Sequence, residues 1–137
     1  MLSAAAVLVC ALGLLGRSGP GSVPIRLVEH PPAGASPLVE GFLLRDPGVI
    51  YLVTSTPRFR DAQHRDTDAL RHIASIIVHE EWHVLHGADE RGAYLAQITT
   101  LTALGASSHL IGSVRKSMLT VLDAQKRRKP EMRLARK

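Results

Sequence analysis

This chain is poor in sulfur chemistry and in aromatic surface. A single cysteine, Cys10, among 137 residues excludes an internal disulfide framework. Aromatic residues make up 4% of the chain, and none falls in its basic C-terminal run. With no platform for stacking bases, nucleic acid is not expected as a partner. Long hydrophobic runs are missing too. The apolar run Ala4 to Leu15 is twelve residues long, short of the ~20 that a membrane-spanning helix needs and suited to the core of a secretory signal. Net positive charge is lacking outside one end: Lys126, Arg127, Arg128, Lys129, Arg133, Arg136 and Lys137 face only Glu131, so the last twelve residues account for +6 while the whole chain carries +5. The rest of the molecule is close to neutral, and the basic run reads as a solvated tail.

What remains is ordinary globular material, 45% hydrophobic and 21% charged, enough for one domain with a modest core. Residues 1–16 read as a hydrophobic leader, which implies export or a membrane tether through this segment. Leu8-Val9 before Cys10 lacks the small residue that a lipid-attachment signal places there. Residues 17–38 form a proline- and glycine-rich connector holding one short candidate strand, Ile25 to Val28. Two aliphatic runs, Val39 to Leu44 and Val49 to Thr54, flank Arg45-Asp46-Pro47-Gly48, in which proline presets φ and glycine accepts a positive φ. They predict a β-hairpin. The second run is almost continuously apolar, so it should be buried on both faces or lie beside the main helix.

Pro57 to Arg65 reads as a polar connector. A helix then starts at a cap among Asp66, Thr67 and Asp68 and runs to His86, with Gly87 as its stop. A second helix is predicted from Asp89 to Leu104 and a third from Ser107 or Ser108 to about Lys126, separated by Gly105. The predicted class is α+β: a short sheet or hairpin followed by a site-bearing helix and two further helices, spanning residues 39–126, with 127–137 as the basic tail.

The chemistry concentrates in His79-Glu80-Glu81-Trp82-His83. Taking 100° per residue from His79, His83 lies at about 40°, His72 at about 20° and His86 at about 340°, while aliphatic residues and Trp82 fill nearly all other directions. Such a helix packs on several sides and keeps one histidine stripe for a cleft. Two histidines four apart can reach one metal ion, and Glu80 between them can serve as general base. Glu81, at about 200°, interrupts the apolar side and needs either solvent or an arginine.

A catalytic zinc takes three protein ligands and keeps one position open. His86 lies about 10.5 Å along the helix from His79, too far for one ion to bridge His79, His83 and His86 without strain. Gly87-Ala88 lets the chain turn back, which brings the start of the next helix beside the metal. Glu90 is the expected third ligand, with Asp89 as the alternative; Asp89 is also a good N-cap. His86 becomes a substrate-contacting or supporting residue.

The run His79 to Tyr94 resembles the zincin metallopeptidases, in particular a minimal gluzincin, in which a second helix begins with a glutamate ligand followed by a small residue. The spacing from His83 to Glu90 is shorter than in most larger gluzincins. A metzincin would carry glycine where His86 stands, although Asp89 falls at that family's third-ligand position. The resemblance covers roughly residues 41 to 104. It implies Zn2+ on His79, His83 and Glu90, Glu80 as the base that activates water, and a strand along the cleft that takes an extended peptide or protein substrate. Val49, Tyr51 and Val53 fill that place in order along the chain. Tyr94, His86 and His72 are candidate donors to a developing oxyanion. The expected activity is hydrolysis of a peptide (amide) bond, and the alternative is a non-catalytic metal-binding or partner-binding module on the same scaffold.

Overall fold

The computed structural model describes residues 1–36, 38–45 and 48–135, with side chains as far as Arg128. Its organising element is the long helix that the histidine stripe predicts. Asp66 caps it by accepting the Ala69 N–H at 2.8 Å. Gly87 ends it at φ 83° and ψ −149°, a combination essentially restricted to glycine. Along the chain the elements are α1 (Ala4–Leu14), β1 (Ile25–Val28), β2 (Gly41–Leu44), β3 (Val49–Val53), α2 (Pro57–Gln63), α3 (Thr67–His86), α4 (Glu90–Ala103) and α5 (Ser108–Ala135). The protein is α+β, with a three-stranded sheet and, among the described residues, five helices.

Helix α3 is the hub: α1, α2, α4 and the sheet all pack on it. Its Ala69, Ile73, Ala74, Ile76 and Ile77 form one core with Leu52 of β3 and with Phe59 and Ala62 of α2. The final turn departs from the expected burial on nearly all sides. Val84 is 39% and Leu85 78% exposed, because the chain leaves at Gly87 and no described element covers that side of the turn.

The segment read as a leader forms α1, and it is part of this core. Val7, Ala11 and Leu12 are buried against α3. Just beyond it, the Arg17 guanidinium forks onto Glu81 at 2.5 and 2.8 Å, supplying the arginine that Glu81 needed. The packed unit therefore reaches well outside residues 39–126, through α1 and also through β1 in the connector.

Two further elements differ from the sequence reading. Pro57 to Arg65 is not a connector: Thr56 caps α2 through the Phe59 N–H, Pro57 opens its first turn, and Phe59 and Ala62 point into the core. Two buried residues three apart make too short a stripe to register as periodicity. Helix α5 does not stop near Lys126 but continues to Ala135, so most of the predicted tail has helical backbone. Asp46 and Pro47 of the predicted turn, Pro37 of the connector, and Arg136 and Lys137 of the tail lie outside the described residues.

In the sheet, β3 lies in the middle. It pairs in parallel with β1, Ile25 opposite Ile50 through Val28 opposite Val53, and antiparallel with β2, Gly41 opposite Leu52 through Leu44 opposite Val49. Both backbone edges of β3 are thus occupied. Val49, Tyr51 and Val53 cannot offer main-chain groups to an extended substrate, contrary to expectation; among the described residues, the strand with an open edge beside the helix is β2.

Away from this core, Ile98 and Leu101 of α4 pack with Leu110, Val114 and Met118 of α5. Among the described residues, no helix is long and apolar enough to cross a membrane.

The place of α1 in the core has a measurable consequence. Leu12→Ala should lower unfolding stability by about 2–5 kcal/mol, as expected for a buried leucine. Leu14→Ala on the exposed side of the same helix should change it by no more than about 0.5 kcal/mol. Equal losses in denaturant titrations would show that α1 is not packed as described.

Candidate metal centre

One helical turn apart on α3, the His79 and His83 rings stand with centroids 5.1 Å from each other. Each is fixed through its Nδ1. His83 Nδ1–H donates to the Gly87 carbonyl at 2.7 Å, and His79 Nδ1–H donates to Gln97 Oε1 at 2.9 Å. Both Nε2 atoms are left for the opposite side, where Glu90 opens α4. One Glu90 oxygen contacts His83 Nε2 and the other lies 3.7 Å from His79 Nε2.

The ligand atoms of His79, His83 and Glu90 all lie within 4.8 Å of one another. Ligand atoms around a tetrahedral zinc are separated by roughly 3.3–3.5 Å, so the three groups fit such an ion with little movement. Asp89 is not with them. Its carboxylate accepts the Arg91 N–H at 3.1 Å and caps α4 from an exposed position.

Close packing of α4 on α3 brings Glu90 to this place. The Trp82 ring lies where a Cβ on Gly92 would sit, 2.1 Å from its nearest carbon. On the other side of α3, β2 approaches so closely that a Cβ on Gly41 would lie 2.6 Å from Ile76 Cγ2. Between β2 and α4 opens a cleft of about 750 Å³, floored by α3. His79, Glu80, His83, Glu90, Tyr94 and Gln97 line it together with residues 38–43.

Burial and neighbouring charge shift Glu80, Glu90, His79 and Tyr94 of the cleft. Burial pushes the Glu80 carboxyl above its ordinary value; the charges of His79 and His83 oppose this, and Glu90 adds to it. Glu90 is held below its ordinary value by its contact with His79, against the effect of burial and with help from both histidine charges. Burial would lower His79, yet its contact with Glu90 and the charge of Glu80 outweigh that and raise it. Tyr94, whose ring stands edge-on to His79 with centroids 4.6 Å apart, is raised by burial and then by Glu90, Glu80 and Glu40. Its phenol therefore stays protonated near neutral pH.

The other histidines divide. His86 is exposed, stacks on Trp82 with centroids 4.2 Å apart and does not line the cleft, so the substrate-contacting role expected for it has no place here. His72 is buried and paired with Glu40, and both line the cleft. Burial alone would raise Glu40, but its hydrogen bond to His72 and the charges of His72 and Arg58 hold it low. His30, His64 and His109 lie away from the cleft.

Sequence reasoning missed Gln97 and Glu40. Gln97 had a usable signal, because it stands two turns after Glu90 and therefore shares its helix face. Glu40 had none, being separated from His72 by 32 residues. No protein-family model, curated protein or solved structure matches this chain, so the reading of the site rests on its own geometry and chemistry.

The upward shift of Glu80 gives a stability test in metal-free protein. A carboxyl raised in the fold favours folding while protonated; this contribution is complete below its unfolded value, near 4.5, and is lost as pH rises through the folded value. Glu80→Gln should therefore raise the Tm of chelator-treated protein at pH ~7, with the gain vanishing near pH ~4. A variant with unchanged or lowered Tm at neutral pH would contradict the cost of keeping this charge buried.

Proposed function

We propose that this protein is a zinc-dependent peptidase, hydrolysing the amide bond of a peptide or protein laid along the open edge of β2. The observation that carries this reading is the meeting of two histidine Nε2 atoms, the Glu90 carboxylate and Glu80 in one cleft. Histidine, histidine and glutamate are a catalytic zinc donor set, three ligands with a position to spare. Zinc held there supplies a Lewis acid that polarises a carbonyl and acidifies water.

The chain's own residues do the rest. Residues 38–43 wall the cleft, and β2 has no strand paired on its far side among the described residues. Its free N–H and C=O groups can hold an extended backbone by adding it as a strand. Glu80, with its carboxyl raised by burial, takes a proton from water and passes it to the departing amine, and the upward shift favours its holding the proton between the two steps. Tyr94 offers a protonated phenol at the same cleft as donor to an oxyanion.

Metal analysis and peptide cleavage test the proposal together. Purified protein should bind about one zinc per chain, and Glu90→Ala should lose it. Glu80→Gln should keep the zinc while hydrolysis falls by roughly 10²–10⁴-fold. Full activity in Glu80→Gln would remove Glu80 as the base. Bound zinc with no cleavage across a diverse peptide library would instead favour the non-catalytic binding module.

A further inference from the structure

Behind His79 lies a chain of hydrogen bonds whose direction is fixed from one end. The His72 carbonyl can only accept, so the Ser75 hydroxyl must donate to it, at 2.7 Å. The single hydroxyl proton is then committed, and Ser75 Oγ can only accept from Gln97 Nε2, at 3.1 Å. That turns the amide oxygen of Gln97 towards His79, 2.9 Å from Nδ1. A glutamine amide can ordinarily face either way. Here a backbone carbonyl three residues from Ser75 decides the matter.

We infer that Ser75 and Gln97 form a polarity relay that sets the tautomer of His79, holding the proton on Nδ1 and the lone pair on Nε2, and that they thereby govern how tightly the site binds its metal. The inference rests on the metal-site reading above. Ser75 and Gln97 are positioning residues, since both act through His79. Ser75 is 0%, Gln97 4% and His79 8% exposed, so water has no ready access to replace a missing partner. The relay is also electrically neutral. Gln97 gives His79 an acceptor without a negative charge, and the Gly87 carbonyl does the same for His83. Glu90 is therefore the one anionic ligand in the set.

Zinc affinity and the His79 tautomer can be read without any substrate. In chelator competition, Ser75→Ala should bind zinc about 10-fold more weakly and Gln97→Leu roughly 10–100-fold more weakly than the wild type. Ser75 stands one turn before His79 on α3, and its hydroxyl bonds the His72 carbonyl and the Gln97 amide. Its polar effect on the imidazole therefore passes through that amide, while any packing effect is separated by the Gln97→Glu background. In Ser75→Ala, nitrogen-15 NMR of the metal-free protein at alkaline pH should show His79 shifting from the Nδ1–H form to a mixture. A carboxylate can only accept, so Gln97→Glu makes the Ser75 hydroxyl unnecessary. The double variant Ser75→Ala/Gln97→Glu should bind zinc at least as tightly as the wild type.

Wild-type affinity and an unchanged tautomer in Ser75→Ala would overturn the relay while leaving the metal site intact. Weakening by Ser75→Ala that persists in the Gln97→Glu background would overturn it as well, since the serine would then act by packing. A wild-type protein that binds no zinc would overturn both this inference and the reading on which it rests.

Discussion

The contact between the Trp82 ring and Gly92 sets the distance between α3 and α4, and the position of Glu90 follows from that distance. Because the indole occupies the space of a Cβ at position 92, any larger residue there must push the helices apart or displace the ring. Gly87 makes the same junction possible from the other direction, by accepting a backbone conformation that lets the chain reverse after His86. Between these two glycines sits the residue that closes the site. A glutamate at the first position of a loosely docked helix would face solvent; on this helix it faces two imidazoles.

That geometry places two carboxylates in the same cleft under opposite influences. Glu90 meets both histidines, and its charge is stabilised. Glu80 is half-buried beside them without a hydrogen-bonding partner of its own among the described residues, and its charge is resisted. In the proposed reading, one thereby remains an anionic ligand and the other exchanges protons. Divergence of this kind between neighbouring acids is how a site assigns separate tasks to chemically identical groups.

The back of α3 is held as firmly as its front. Glu81 follows Glu80 in sequence but points away from the cleft, where Arg17 takes it in a two-pronged ion pair. A partly buried carboxylate left alone there would be costly, so the arginine after α1 lets this side of the helix pack. With α1 and the Arg17 pair on one side and α4 on the other, α3 presents His72, His79 and His83 to the cleft in one rotational setting.

Features governed by local rules were legible in the chain before any folding. The limits of α3 follow from a cap among Asp66, Thr67 and Asp68, which the fold assigns to Asp66, and a Gly87 stop, and the shared face of His79 and His83 follows from 3.6 residues per turn. Both β2 and β3 could be read from their aliphatic runs, as could the placement of a carboxylate just beyond the helix. The cap preference of Asp89 favoured Glu90 over it, but which of the two faces the histidines is decided by the phase with which the helix docks. The central position of β3, the pairs Arg17–Glu81 and Glu40–His72, and the link from Ser75 through Gln97 to His79 belong to tertiary structure alone. Each depends on packing between elements distant along the chain, and such contacts leave no periodic trace in the sequence around either partner.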